Sequence, residues 1–310
     1  MASAGRAPAP DPAAAQVLAM LPPEDPDALI DLAAARSGYD MLAGFGGGHD
    51  IPPDALAVSD AEIAEVPVRF YKPAGATGTR PTIVFFHGGG FTIGSLASHD
   101  PQCRQLAHLS GLTVVAVDYR LAPEHRFPAG FDDAAAVVGW LLDHGDEVDV
   151  DPALLGVCGN SAGGGLSAAT AQRFRGRLGF QGLLYPTVDF GGEWPSYEEN
   201  RTGYLLTMKT MHWFRDQTAP DKSTWSDERL SPIRGDLAGT APAWVLTCGF
   251  DPLRDEGAAY AEALSASGVP TTHVHADDQI HECVQLAGVI PAGRALLESL
   301  AAAAAAALHK

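Results

Sequence analysis

Hydrophobic and polar positions along this chain follow two rhythms. Val66, Val68 and Phe70 take every second position, a period of two that predicts a strand buried on one face. Thr82–Phe86 is a short unbroken run of β-branched and aromatic residues, as in a strand buried on both faces. Leu112–Val117 and Leu154–Cys158 repeat that pattern, and Leu183–Tyr185, Val245–Cys248 and Thr271–His275 complete the strand series. Helical signals lie between. Asp100 reads as an N-cap with Pro101 at the first helical position. Asp132 opens an apolar helix that runs through Leu142 and closes near Gly145. Ala162–Arg175 is a helix of small residues. Strand and helix in alternation predict a mostly parallel, doubly wound α/β sheet.

Two regions break the alternation. Residues 190–235 hold Trp194, Trp213, Phe214 and Trp225 among many charges, and read as a helical insertion. Residues 13–43 are Ala/Leu-rich helical stretches interrupted by Pro22, Pro23 and Pro26, after a loose tail over 1–12 and before a Gly-rich connection at 44–48. From Val284 a helix is expected, broken near Pro291 and ending in Ala301–Ala307. The expected division is a tail with cap helices over 1–50, a catalytic core over 51–189 and 236–310, and a cap insertion over 190–235. The tryptophans either line a pocket or pack the lid on the core.

Length and charge narrow the function classes. The 310 residues allow one large domain or two ordinary ones, and 46% of them are hydrophobic, enough to bury a sizeable core. Lys and Arg number 20 against 38 Asp and Glu, a net charge of −18 that argues against nucleic acid or an anionic membrane as a partner. No apolar run approaches the ~20 residues of a membrane-spanning helix. The N-terminal residues lack the apolar core of a secretory signal, so a cytoplasmic location is expected. Cys103, Cys158, Cys248 and Cys283 form no C-x-x-C pair and are expected to be buried free thiols.

The strongest chemical signal is Gly159-Asn160-Ser161-Ala162-Gly163, a G-x-S-x-G element between a buried strand and a helix. A strand-to-helix turn this tight needs small neighbours and holds its serine exposed above the sheet edge. The second is His87-Gly88-Gly89-Gly90, directly after Thr82–Phe86. Glycines let the backbone come close to substrate, so the N–H groups of Gly89 and Gly90, with that of Ala162, can serve as oxyanion donors. A serine needs a base and an acid, which in this arrangement follow it in the order acid, then His. Asp251, right after strand Val245–Cys248, is the preferred acid, with Asp255 one helical turn on as the alternative. Among His273, His275 and His281, the first two sit two apart in a strand, whereas His281 lies in the loop after it, where sites collect, and is preferred as base.

These elements, with Asp118-Tyr119-Arg120-Leu121-Ala122-Pro123-Glu124-His125 and Asp251-Pro252-Leu253-Arg254-Asp255, resemble the hormone-sensitive-lipase-like (bacterial family IV) esterases of the α/β-hydrolase superfamily over residues 60–290. The resemblance implies an α/β-hydrolase core with a helical cap, no cofactor, and hydrolysis of small carboxylic esters with acyl chains of about two to eight carbons. It makes Ser161 the nucleophile, Asp251 the acid, His281 the base, and Gly89, Gly90 and Ala162 the oxyanion hole. His87, Gly88, Gly159, Asn160, Gly163 and the Asp118–His125 run then support the site. Two features depart from the family pattern. Asn160 stands where Asp or Thr is usual, which predicts a changed local hydrogen bond. The base lies in Asp277-Asp278-Gln279-Ile280-His281-Glu282-Cys283 in place of a Gly-preceded His-Gly-Phe, and Glu282 is expected to raise the His281 pKa.

Other patterns fail. His281-Glu282-Cys283-Val284-Gln285 lacks the second His of a zinc helix, and Gly44-Phe45-Gly46-Gly47-Gly48-His49 lacks the third glycine of a dinucleotide fingerprint. His273 and His275 have no third ligand spaced to join them, so no metal is expected. The alternatives are a related acyl hydrolase (lactonase, amidase or thioesterase), which the same residues would serve, and a non-catalytic small-molecule receptor, against which the retained Ser, Asp and His argue. An exposed edge strand or lid helix leaves room for a homodimer that no residue pattern demands.

Overall fold

The computed structural model describes residues 5–21, 25 and 27–309. Pro22, Pro23 and Pro26, expected to interrupt the N-terminal helices, lie outside the described residues, as do the first four residues of the expected tail. In chain order the elements are α1 (Pro12–Met20), α2 (Leu32–Met41), β1 (Leu56–Ile63), β2 (Val66–Pro73), β3 (Arg80–Phe86), α3 (Asp100–Ser110), β4 (Thr113–Val117), α4 (Ala129–His144), β5 (Val150–Asn160), α5 (Ala162–Arg173), β6 (Phe180–Leu184), α6 (Pro195–Glu199), α7 (Met208–Thr218), β7 (Ala243–Phe250), α8 (Arg254–Ala266), β8 (Thr271–Ile280) and α9 (Pro291–Leu308).

The strands form one eight-stranded sheet in the order β1-β2-β4-β3-β5-β6-β7-β8. β1 with β2 and β2 with β4 pair antiparallel, and every other pair is parallel. The buried strands obey the period of two. Ile83 and Phe85 of β3 pack with Cys103 and Leu106 of α3 and Leu297 and Leu300 of α9. Val84 and Phe86 face the other way, onto Val137 and Leu141 of α4 and Leu166 of α5. Tyr260 and Leu264 of α8 extend that second layer over Val245. The result is a three-layer α/β/α sandwich, the α/β-hydrolase architecture.

Several boundaries differ from the sequence reading. β1 buries only its ends, Leu56 and Ile63, and its exposed centre at the sheet edge carries no hydrophobic alternation. It exists through pairing with β2 across a two-residue turn in which Ala64 and Glu65 have φ of 51° and 64°. His99, not Asp100, precedes α3. Asp100 is its first helical residue, and its carboxylate accepts bonds from Tyr71, Arg69 and Arg104. α4 begins at Ala129, three residues before Asp132. Residues 281–289 are turns, so α9 is not a broken helix but starts at Pro291, a residue suited to a helix start because it has no N–H to satisfy. Within α9, Ala301, Ala304 and Leu308 face the core.

Candidate active site

β5 delivers Ser161 through a turn whose geometry is fixed by its glycines. A Cβ on Gly159 would lie 2.4 Å from the Gly163 backbone, and one on Gly163 would lie 1.9 Å from the Phe86 carbonyl oxygen. Neither position tolerates a side chain. Ser161 itself has φ 54°, a conformation that L residues rarely adopt, held by its N–H donating to the Leu184 carbonyl at 2.9 Å. The serine therefore sits on a strained turn at the carboxyl edge of the sheet, as the N-cap residue of α5.

His281 follows β8 and Asp251 follows β7, neighbouring parallel strands that end beside the serine. His281 Nε2 lies 3.0 Å from Ser161 Oγ, and Nδ1 lies 2.7 Å from Asp251 Oδ2. The other Asp251 oxygen accepts the Leu253 N–H at 2.8 Å. Asp251, His281 and Ser161 are all buried, the serine least deeply. Burial pushes the His281 pKa down. The Asp251 charge and hydrogen bond, with Glu282 and Glu256 adding, outweigh that and leave it above its ordinary value.

The rival residues are placed elsewhere. Asp255 binds Arg254 at 2.8 Å and accepts the Ser196 N–H, so it ties α8 to α6. His273 Nε2 and His275 Nδ1 of β8 each lie 2.8 Å from Oγ1 of the buried Thr247 of β7, and His275 Nε2 bonds the Gly5 carbonyl, so neither reaches the serine.

Gly89 and Gly90 have φ of 108° and 58°, and a Cβ on either would strike Ile93 or the Phe214 ring at under 2.5 Å. Their N–H groups have no acceptor among the described residues. Ala162 opens α5, so its N–H lacks an intrahelical partner. His87 is buried and stacks on Tyr119 at 4.3 Å, with Nδ1 2.7 Å from the Gly88 carbonyl; burial lowers its pKa to about 4, so it is neutral. Gly88 N–H donates to His99 Nε2 at 3.3 Å, and a Cβ on Gly88 would press on Asn160. The Asp118–His125 run braces this loop. Tyr119 OH donates to the His87 carbonyl, Ala122 N–H to Phe91, and Glu124 pairs with Arg36 of α2, which also donates to the Thr92 and Ala122 carbonyls.

Above Ser161 is a cavity of about 40 Å³, lined by Gly90, Phe91, Ala162, Phe190, Leu206, Met211, Phe214, Arg215 and Leu253. None of the three lid tryptophans lines it. Trp194 packs with Tyr197 and Leu206, Trp225 stands edge-on to Phe190, and Trp213 packs on Phe214. Trp194 and Trp225 also line a separate open cleft of about 790 Å³.

The sequence reading missed Tyr39, Tyr185 and Arg215. Tyr39 donates to Glu282 at 2.8 Å, and Tyr185 packs on the His281 ring at 4.8 Å. Arg215 lies against Phe190, Tyr197 and Trp225 in the cavity wall. None belongs to a motif, so no local signal marked them. The four cysteines are free and buried, and Cys248 and Cys283 lie 3.7 Å apart, sulfur to sulfur. Among the described residues no helix is long and apolar enough to cross a membrane.

Residues 83–285 match the alpha/beta hydrolase fold family. A carboxylic ester hydrolase of Mycobacterium tuberculosis is 40% identical over 250 residues, covering 77% of this chain and 66% of that protein, so the chain spans about two thirds of that relative's length. An ethyl acetate hydrolase of Pseudomonas putida is 34% identical over 83% of this chain and 84% of its own. A thermostable esterase from Pseudomonas putida superposes with a TM-score of 0.90 at 31% identity, covering 97% of this chain and 98% of that one. An ester hydrolase from the metagenome of Lake Arreo gives 0.88 at 35% identity, covering 96% and 99%.

Proposed function

The chain belongs to the alpha/beta hydrolase fold family and to its hormone-sensitive-lipase-like carboxylic ester hydrolases, and from that premise we propose that Ser161, His281 and Asp251 cleave small carboxylic esters through an acyl-enzyme. The reading rests on one observation, the unbroken chain of contacts from Ser161 Oγ through His281 to Asp251 at 3.0 and 2.7 Å. His281 Nε2 takes the serine proton as Oγ attacks the ester carbonyl. Asp251 holds the ring in the tautomer with its proton on Nδ1 and balances the imidazolium. The N–H groups of Gly89, Gly90 and Ala162 hold the oxyanion. The imidazolium returns its proton to the leaving alcohol, and a water repeats the sequence to free the acid. His281 works only when neutral, so activity falls on the acid side.

The segments 1–50 and 190–235 act as the cap in this reading, because Arg36 and Tyr39 reach the loops that bear the site and Phe214 closes on Gly90. The narrow cavity of about 40 Å³ favours the short end of the acyl range. Four buried free thiols support a reducing compartment, the cytosol. A homodimer would be built on β1 or on β8, the two edges of the sheet, and light scattering reads it.

Initial rates on p-nitrophenyl esters of increasing acyl length, beside Ser161→Ala, test the reading. Fast turnover of acetate and butyrate that vanishes in the variant supports it. A folded parent that turns over no ester and resists a fluorophosphonate overturns it and points to a receptor.

A further inference from the structure

Asn160 and Glu282, one from each of the two segments that depart from the family pattern, touch one another across 122 residues of sequence. Asn160 Nδ2 donates to Glu282 Oε2 at 2.8 Å. The other Glu282 oxygen accepts the Tyr39 hydroxyl of α2 at 2.8 Å, and it also lies 3.8 Å from His281 Nε2, the nitrogen that faces the serine. Tyr185 OH stands 3.5 Å from Oε2. The Glu282 side chain is buried, and its backbone sits at φ 64°, a conformation awkward for a β-carbon. A strained position filled by a buried acid, when glycine would fit without strain, calls for a role for the side chain.

We propose that Glu282 is a positioning residue for ester hydrolysis: its carboxylate, fixed between the Asn160 amide and the Tyr39 hydroxyl, locks the His281 turn against the nucleophile elbow and supplies a second counter-charge to the protonated ring. This rests on the triad reading above. The network joins three separate segments. Asn160 belongs to the elbow that carries Ser161, Glu282 to the turn that carries His281, and Tyr39 to the N-terminal helix held over the oxyanion loop by Arg36. Seating of α2 is thereby felt at the base. His281 is faced by Asp251 after β7, Glu282 on its own turn, Glu256 from α8 and the Tyr185 ring after β6. Glu282 is faced by His281, Tyr39, Asn160, Tyr185 and Asp251, with the Cys248 and Cys283 thiols close by. Burial, with the Asp251 charge adding, leaves the Glu282 pKa above its ordinary value, and His281 and the Tyr39 and Asn160 donors pull the other way.

The test is a charge swap. Glu282→Gln removes the counter-charge. The acid limb of kcat/KM on p-nitrophenyl acetate and the His281 imidazole titration, followed by NMR, should both move to lower pH by about one unit. kcat should fall by about tenfold to a hundredfold, with KM little changed. Asn160→Asp sets two carboxylates in contact and should lose at least as much. The double variant Asn160→Asp/Glu282→Gln restores a donor facing an acceptor, so it should recover most of the kcat lost by Asn160→Asp. Tyr39→Phe should give a smaller loss of kcat in a fully folded protein. A purely structural contact would lower thermal stability and leave the His281 titration in place, and additive losses in the double variant would mean that the two side chains do not act together. Either an unmoved titration or additive losses overturns the proposal. The titration does not need turnover, so a parent that hydrolyses no ester overturns the esterase reading separately.

Discussion

Asp251→Asn tests the triad with the fewest changes in shape. In the parent each carboxylate oxygen has its own partner. Oδ1 accepts the Leu253 N–H and Oδ2 meets His281 Nδ1. An amide has one oxygen. If the substituted side chain keeps the Leu253 bond, its NH₂ faces Nδ1, the ring proton moves to Nε2, and His281 cannot accept the serine proton. Turning the amide to restore the active tautomer leaves the buried Leu253 N–H without its acceptor, at about 1–3 kcal/mol. In both cases the imidazolium loses a carboxylate, worth about 4 kcal/mol at ~4 Å between charge centres and an effective dielectric of ~20. Together these come to about 5–7 kcal/mol, or about four to five powers of ten in kcat. The assay is kcat on p-nitrophenyl acetate, with circular dichroism and a melting curve to show that the variant folds. Asp255→Asn is the control. That carboxylate binds Arg254 and the Ser196 N–H away from the serine, so its loss should lower the melting temperature and leave kcat near the parent's. A folded Asp251→Asn within about tenfold of the parent would refute the reasoning.

Gly90→Ala places a methyl 2.2 Å from the Phe214 ring at a φ of 58°, so the loop must move. kcat should fall by about 10²–10³ through displaced oxyanion donors, and Phe214→Ala added to it should recover part of the loss. Burial pushes the Glu256 carboxyl up to about 7 against hydrogen bonds from Tyr197 OH and the Val188 N–H. Its folded pKa lies above its unfolded value, so the stability it adds is present below about pH 4.5 and is lost as pH rises through 7. The stability of the parent relative to Glu256→Gln, read by urea denaturation, should therefore drop by roughly 3 kcal/mol between pH 4.5 and 8, and a flat difference would contradict the assignment. Arg254 is fully buried between Asp255 and Glu199; Arg254→Ala strands a buried charge and should cost about 3–5 kcal/mol by the same measurement.

What the sequence determined by itself was whatever local sterics and periodicity dictate. Thr82–Phe86 and Leu112–Val117 can bury both faces only inside a sheet, and Gly159 and Gly163 are small because backbone atoms lie within 2.4 Å of where a Cβ would stand. Gly89 and Gly90 likewise answer to positive φ. The tertiary structure decided everything that depends on which distant segments meet. Asp251 and Asp255 follow the same strand, and only the end of β7 beside β8 places Asp251 on His281 while α8 carries Asp255 to Arg254. β1 buries side chains only at its two ends, Leu56 and Ile63, and its exposed centre is held by pairing with β2, which no pattern within the segment announces. Val284–Val289 have helix-like residues, yet the chain there is held in turns, with the Gly288 N–H bonded to Phe45. Asn160 and Glu282 each read as a separate oddity. Their hydrogen bond, and the Tyr39 hydroxyl that completes it, exist because the sheet sets β5 and the end of β8 at one edge with α2 above them. No spacing within a segment encodes a contact between segments.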